Sequence, residues 1–385
     1  GMIPLATAQG AGAAGQQVTV DAIVVGDFQN GDADAKRNLS GFYLQEERVD
    51  QDSDPATSEG LFVFQGSAAG NVNVGDRVRV TGTISEYFGM TQLTAQTIEV
   101  VQPNSVADVS TLAVDISLPT ATTTVSQNGV AQPDLERYEG MLVRLPQTMT
   151  VSEQFNLDRF NEIKLTAGGR PETFTNEFAP GQQAYADYLK SVGARTITYD
   201  DGLNVQNAAI ENLDGFNPYN TASAPRMGDT IAGLTGILDY QFAGASASGS
   251  TWRVRSVQDG ANTFTDANPR QATPDDVGGR LKVASLNVLN YFKTIDTIQE
   301  ASTAADNPAD NTAIGQDPRG ADTDAEFARQ TQKLVTTLLT MNVDVLGLTE
   351  IENQFGVGRA DNAIEYLVAQ LNARAGAGTY AYVNP

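Results

Sequence analysis

Cysteine and histidine are both absent from the 385 residues. The first absence excludes disulfides, thiol nucleophiles and thiolate metal sites. The second excludes imidazole ligands and every mechanism whose general base is a histidine of this chain. The chemistry left is that of carboxylates, amides, hydroxyls and hard cations bound through oxygen. Positive charge is also scarce, with 24 Lys and Arg against 47 Asp and Glu, a formal net charge of −23. A polyanion would be repelled by such a surface, so any contact with nucleic acid has to be local or assisted by metal. No run reaches the ~18 consecutive apolar residues expected of a membrane-spanning helix. Hydrophobic residues still make up 41% of the chain, which argues for packed cores and against a disordered acidic tail. At roughly 100–200 residues per domain, the length predicts two to four domains.

The opening 16 residues are Gly/Ala-rich and read as a flexible N-terminus. Ala6-Thr7-Ala8 has the small-residue pattern that ends a removed signal peptide, which predicts export to the extracellular space. From residue 17 to 104 short alternating apolar runs are separated by Gly, Asn and Asp clusters, the pattern of a small all-β unit. Five strands are predicted, over 18–25, 41–45, 61–64, 77–84 and 93–100. In the fourth, Val78 and Val80 alternate with Arg77 and Arg79, so one face is buried and the other presents cations to solvent. Five strands in this length fit a small Greek-key barrel of the OB type.

Residues 105–258 read as a second OB-like module with an insertion. Gly75-Asp76 followed by Thr81-Gly82-Thr83-Ile84 returns as Gly228-Asp229 followed by Thr235-Gly236-Ile237-Leu238. Gly41-Phe42-Tyr43-Leu44 is echoed by Gly140-Met141-Leu142-Val143. Two echoes in the same order suggest duplication of one β module. The Thr-, Ala- and Pro-rich stretch 108–134 reads as a connector laid on the surface, and a short helix is predicted over 181–192. Trp252 reads as an anchor of the barrel wall.

Residues 259–279 are the predicted linker, and from 280 to 385 the pattern changes to α/β. The run 281–292 is nearly continuous in apolar residues, which predicts a strand buried on both faces, yet it contains Asn287 and Asn290. A buried asparagine is costly unless its amide is used. Thr323 and Glu326 form a capping box that opens a helix to about Met341. A strand over 343–349 then ends in Glu350, at the sheet edge where rigid backbone can hold a carboxylate toward a divalent cation. A further helix is predicted over 360–374 and a further strand over 380–383.

These residues carry a resemblance. The strand with Leu286-Asn287-Val288, the helix with Arg329-Gln330 and Lys333, and the run Asp344-Val345-Leu346-Gly347-Leu348-Thr349-Glu350 resemble the start of the endonuclease/exonuclease/phosphatase superfamily, the DNase I-like fold. Arg319-Gly320-Ala321-Asp322, Glu326-Phe327-Ala328-Arg329-Gln330 and Glu350-Ile351-Glu352-Asn353 are similar to bacterial secreted extracellular nucleases, in which OB-like modules precede the nuclease domain. Leu39 to Gln45, Pro55 to Gly60 and Val78 to Gly82 are similar to that family's OB-like module. The fold implied is mostly β and then α/β: two OB-like barrels followed by the first part of a DNase I-like sandwich.

The resemblance implies that Glu350 ligates Mg²⁺ or Mn²⁺, with Ca²⁺ a further candidate, and that Asn287 organises the metal and the scissile phosphate. Asn290, Glu352 and Asn353 are the candidate substrate contacts, although one-residue offsets on a strand point to opposite faces. The implied activity is hydrolysis of phosphodiester bonds in extracellular DNA, with RNA as a second substrate. The family's histidine base and the rest of its sandwich would follow Pro385, so the chain alone is expected to be inactive. The competing reading is a binding module for single-stranded nucleic acid or polysaccharide, with Phe42, Phe62, Tyr87 and Phe88 as candidate rings. An acidic surface scaffold is the third. Asp50, Asp52 and Asp54 alternate as in a calcium loop, but Pro55 stands where an EF-hand needs glycine, so a solvated loop is the simpler expectation.

Overall fold

The structure is a computed structural model, described here for residues 1–32, 36–209, 213–216, 226–244, 246–296, 319–353 and 362–383. Most of the acidic loop expected over 300–320 lies outside the described residues. The chain forms two compact units, Gly1–Pro269 and Arg270–Pro385.

In the first unit a short helix α1 (Leu5–Ala8) precedes strands β1 (Gln17–Phe28), β2 (Gly41–Gln45), β3 (Gly60–Phe64), β4 (Arg77–Tyr87) and β5 (Met90–Gln102). They close into a barrel in the order β1-β2-β3-β5-β4. All neighbours are antiparallel except β3 and β5, which run parallel. This is the Greek-key ring of an OB-type barrel. Val78, Val80 and Ile84 of β4 point inward with Phe42, Leu44, Leu61 and Val63. The stretch expected to be flexible is instead part of this core: Leu5 and Ala8 are fully buried and cluster with the barrel interior. Their i, i+3 spacing puts both on one helical face, so even one helical turn can plug a barrel end.

The second module begins with β6 (Val114–Asp115) and the hairpin β7 (Thr123–Val125) and β8 (Ala131–Pro133). Then come β9 (Leu142–Glu153), α2 (Leu157–Phe160), β10 (Glu162–Ala167), α3 (Phe174–Glu177), α4 (Gln182–Gly193), β11 (Thr196–Asp200), β12 (Thr230–Gln241) and β13 (Thr251–Arg255). The pairings run β9-β10-β11-β13-β12 and return to β9, again with a single parallel neighbour pair in the ring, β11 with β13. The ring of the first barrel is therefore repeated strand for strand. The two Gly-Asp turns do the same work in each copy. Asp76 accepts from the Asn73 and Asn104 N–H groups at 2.9 and 2.8 Å. Asp229 accepts from those of Arg226 and Asn268 at 2.9 and 3.3 Å.

Two expectations are corrected. The echo between 41–44 and 140–143 joins non-equivalent strands, β2 and the start of β9. Gly140 is glycine for another reason: it has a φ of 75° where it crosses β3, and its Cβ would stand 3.0 Å from the Leu61 nitrogen. The connector is also not merely surface-laid, because Leu112, Ile116 and Leu118 are buried and β6 adds to β9. Trp252 does line the barrel core, its ring 4.8 Å from that of Tyr240.

The outer faces of the barrels meet in a seam of Ile23, Phe28, Tyr43, Phe62, Leu142 and Ile237. Gln45 spans it, donating to the Leu112 carbonyl and accepting from the Leu142 N–H, each at 2.8 Å. Next to Tyr43 lies a buried charge network, in which Arg253 binds Glu162 and Asp200 at 2.7 and 2.6 Å. Arg255 binds Asp200 and Asp239 at 2.6 and 2.9 Å.

The second unit pairs β14 (Val283–Tyr291) in parallel with β15 (Val345–Ile351). Helices α5 (Asp324–Met341) and α6 (Ala363–Ala375) supply Phe327, Leu334, Val335, Leu338, Leu367 and Leu371 to a core shared with Val288 and Tyr291. The Thr323 hydroxyl accepts from the Glu326 N–H at 3.2 Å, whereas the Glu326 carboxylate reaches the Asp322 N–H. Asn342 ends α5 in the left-handed conformation.

Again the sequence expectation needs correcting. The strands are covered on one face only: among the described residues Val283, Leu289 and Val345 are 67%, 76% and 52% exposed. A continuous apolar run therefore signals here an α/β layer whose other face has no cover among those residues. No strand forms over 380–383; the backbone groups of Tyr380 are both taken by the Asn372 amide, at 3.0 and 2.8 Å.

Candidate functional site

The C-terminal ends of parallel strands are where open α/β sheets present their working residues. In the second unit the β14–β15 register is regular up to Asn287 opposite Thr349 and resumes at Tyr291 opposite Ile351. Between those pairs β14 spends three residues, Val288, Leu289 and Asn290, against the single Glu350 of β15. Leu289, Asn290 and Glu350 all lie at positive φ, 54°, 48° and 58°. None is glycine, and such conformations cost on the order of 1 kcal/mol each, so the surrounding contacts must hold them. Bulges of this kind re-aim side chains at a strand end.

The contacts are identifiable. The Asn287 side-chain oxygen accepts from the Leu289 N–H at 2.8 Å, closing the first turn of the bulge. From α5, the Gln330 amide donates to the Leu289 carbonyl at 2.8 Å. Val288 and Tyr291 are buried beneath, and the Tyr291 hydroxyl pairs with that of Thr331 at 2.9 Å. Burial pushes the Tyr291 phenol up to about 12. Beyond the bulge, Glu352 clips the two strand ends together. Its N–H donates to the Tyr291 carbonyl, and its carboxylate accepts from the Lys293 and Thr294 N–H groups at 2.7 and 3.0 Å and from the Thr294 hydroxyl.

The structure thus brings Asn287 and Glu350 to neighbouring positions on adjacent strands, both exposed. Glu350 has no hydrogen-bond or ion-pair partner among the described residues. Asn290 is half-buried within the bulge, and Asn353 is exposed just past the strand end. Glu352 is occupied by the loop after β14. Among the described residues no cluster of three or more acids gathers here or elsewhere in a form that could hold a metal ion. The exposed Glu350 carboxylate does suit Mg²⁺, which commonly takes one or two carboxylates and keeps several waters. Sequence reasoning overlooked Gln330 as the residue that fixes the bulge. Its helical offset of three from Phe327, on the face turned to the core, was the available signal.

No protein-family model matches the chain, and no curated protein matches it. Among solved structures the chain is similar to the crystal structure of fission yeast Pot1 and ssDNA, at 12% identity over 69% of this chain and 87% of that one, with a TM-score of 0.27. It is also similar to a structure assigned as an aspartyl-tRNA synthetase from Leishmania major Friedlin, at 8% identity over 50% and 52%, with a TM-score of 0.20. Scores this low support no statement about function, and the barrels stand on their own strand pairing.

The remaining candidates separate by burial. Phe42 is inside the first barrel and Phe62 is in the seam, so neither can receive a ligand ring. Tyr87 and Phe88 are exposed at the β4–β5 turn and pack on Phe242, with Phe88 at a φ of 50°. In the acidic loop, Asp52 and Asp54 are engaged in turn bonds with the Asp54 and Ala56 N–H groups, at 2.7 and 2.9 Å. The Thr57 hydroxyl also donates to Asp52. That is the pattern of Asx turns in a solvated loop.

Proposed function

We propose that the second unit is the metal- and phosphate-handling part of a Mg²⁺- or Mn²⁺-dependent nuclease acting on extracellular DNA, with RNA as a second substrate. The observation that carries this reading is the bulged strand end, with Asn287 and Glu350 on adjacent strands and Glu350 without a partner among the described residues. The motif resemblance of these same strands to secreted nucleases supports it. Glu350 and Asn287 would hold the cation, which when bound stabilises charge on phosphoryl oxygens. Asn287 and Gln330 fix the β14 backbone at Leu289, in the bulge opposite Glu350, and Glu352 joins the strand ends.

The test is nicking of supercoiled plasmid in Mg²⁺ by this chain and by a version extended past Pro385, each beside a Glu350→Ala twin. The expected outcome is nicking by the extended protein that falls about 100-fold or more in its twin, the scale of losing one preorganised charge-stabilising group. Equal nicking by the twin, or none by the extended protein, would overturn the proposal. A second reading, the barrels as binding modules, rests on the exposed rings of Tyr87 and Phe88. Glu86, which adjoins them, makes a neutral polysaccharide a better fit there than a polyphosphate.

A further inference from the structure

At one end of the first barrel two glutamates face each other in the dry. Glu46 and Glu59 extend the β2–β3 ladder by one pair, the Glu46 N–H donating to the Glu59 carbonyl at 3.0 Å, and both side chains are buried. Each carboxyl has one oxygen with a backbone donor. Glu46 Oε1 accepts from the Leu5 N–H at 2.7 Å, and Glu59 Oε1 accepts from the Asp52 N–H at 3.1 Å. Each also has a second buried oxygen, Oε2, with no donor among the described residues. As directly opposed residues of adjacent strands, the two buried carboxyls leave the same face of the ladder as neighbours. Two acceptors cannot bond to each other, and two buried like charges repel, so the arrangement is complete only with one proton between them.

Among the described residues no cation relieves the pair. Helix α1 brings only the Leu5 N–H. The loop after β2 brings Asp52, while its Glu47 and Asp50 are bound by Arg77 of β4, which also holds Asp21. On the far side, Thr91 of β5 is bonded to Glu86 of β4 and to Glu139 of the second module, both acids. Burial first, then Glu46 and Asp52, push the Glu59 carboxyl up to about 7.

What the pair holds is the N-terminal segment. Besides the Leu5 N–H, the segment is tied by the Gln9 amide to the Gly60 carbonyl and by the Gly10 N–H to the Thr91 hydroxyl at 3.0 Å. Leu5 and Ala8 fill the barrel end. We propose that residues 3–10 are a proton-latched strap: the proton shared by Glu46 and Glu59 keeps the strap seated over the barrel end, and its loss loosens the strap.

Hydrogen exchange on the whole chain at pH 5.5 and 8.5, corrected for the intrinsic pH dependence of exchange, tests this. Protection of the Leu5 to Gly10 amides should fall about 10-fold or more at the higher pH, corresponding to roughly one pK unit of coupling. Amides of β12 and β13 serve as the internal reference. In Glu59→Gln the new amide can donate to Glu46 while its oxygen still accepts from Asp52, so strap protection should be high and equal at both pH values. Glu46→Gln should behave alike. Unchanged protection in the wild-type protein, or the same loss in both variants, would overturn the latch. Should neither variant fold, carboxyl ¹³C titration of the wild-type protein decides: a Glu59 midpoint near the ordinary carboxylate value refutes the shared proton, and one near neutrality supports it.

Discussion

The two barrels share one ring of strands yet treat outward-facing arginines in opposite ways. In the first barrel Arg77 and Arg79 of β4 bind Asp21 of β1 across the strands at 2.6 and 2.9 Å, with about a third of each arginine side chain in solvent (30% and 39%). In the second, Arg253 and Arg255 of β13 alternate with Trp252 and Val254 in the same manner, but their side chains are 2% and 1% exposed. The pairing chemistry is the same and only the cover differs. Although burial opposes ionisation, Arg255 and Arg253 hold the Asp200 carboxyl below its ordinary range. A charge network sealed in this way contributes little net stability compared with an apolar seam, but losing one member is expensive because the others are stranded. An exposed pair has no such asymmetry.

The largest effect is expected where this difference is cut directly. Asp200→Asn removes the carboxylate shared by both buried arginines, leaving Glu162 and Asp239 to serve one each, and should cost about 3–5 kcal/mol in urea unfolding of the whole chain. A loss below about 1 kcal/mol would mean that water reaches the seam, and the contrast between the barrels would collapse.

The second expected effect is one of pH. Asp201 adjoins the network, fully buried, accepting from the Asn161 amide at 3.1 Å and the Leu203 N–H at 3.0 Å. Burial first, then the charge of Asp200, push its carboxyl up to about 8. An unfolded aspartate loses its proton near ~4, so between about pH 4 and 8 the native state binds more protons than the unfolded one. Stability from this group is therefore complete in mild acid and declines as pH rises toward 8. Glu59 acts in the same direction over a narrower range. Asp201→Asn should flatten the decline measured by urea midpoints from pH 5 to 8, whatever constant cost the swap adds. An unchanged slope would remove Asp201 from the account.

Much of the fold could be read from alternation and turns. All five strands of the first barrel appear where β-periodicity places them, because one face of each meets a core. The same is true of α5, whose Thr323 cap and Asn342 stop act locally. What could not be read is whatever the tertiary cover decides. Thr-Trp-Arg-Val-Arg at 251–255 and Arg-Val-Arg-Val at 77–80 look alike, and nothing local says that the first is sealed under Tyr43 and the second is wet. The strap looked flexible because Ala and Gly dominate it, whereas two apolar residues at helical spacing are enough to seat it. At the candidate site, Asn287 and Glu350 were legible as residues, but Asn-Val-Leu-Asn contains no glycine to announce a left-handed bulge. A strand pattern encodes neither the bulge that stands opposite Glu350 nor the Gln330 amide that holds it at Leu289.

The smallest expected effect sharpens the comparison from its exposed side. Asp21→Ala deletes the shared carboxylate of the first barrel, as Asp200→Asn does in the second. Here Arg77 retains Glu47 at 2.8 Å and Asp50 at 3.5 Å, and Arg79 retains the looser Glu99 at 3.9 Å. Both guanidinium groups also keep contact with water, so neither is left as an uncompensated buried charge. The expected loss is about 1 kcal/mol or less, and it should shrink further in high salt, which screens exposed pairs far more than sealed ones. If Asp21→Ala costs as much as Asp200→Asn, solvent cover is not what separates the barrels. The stability of both would then have to be ascribed to the cross-strand pairing itself.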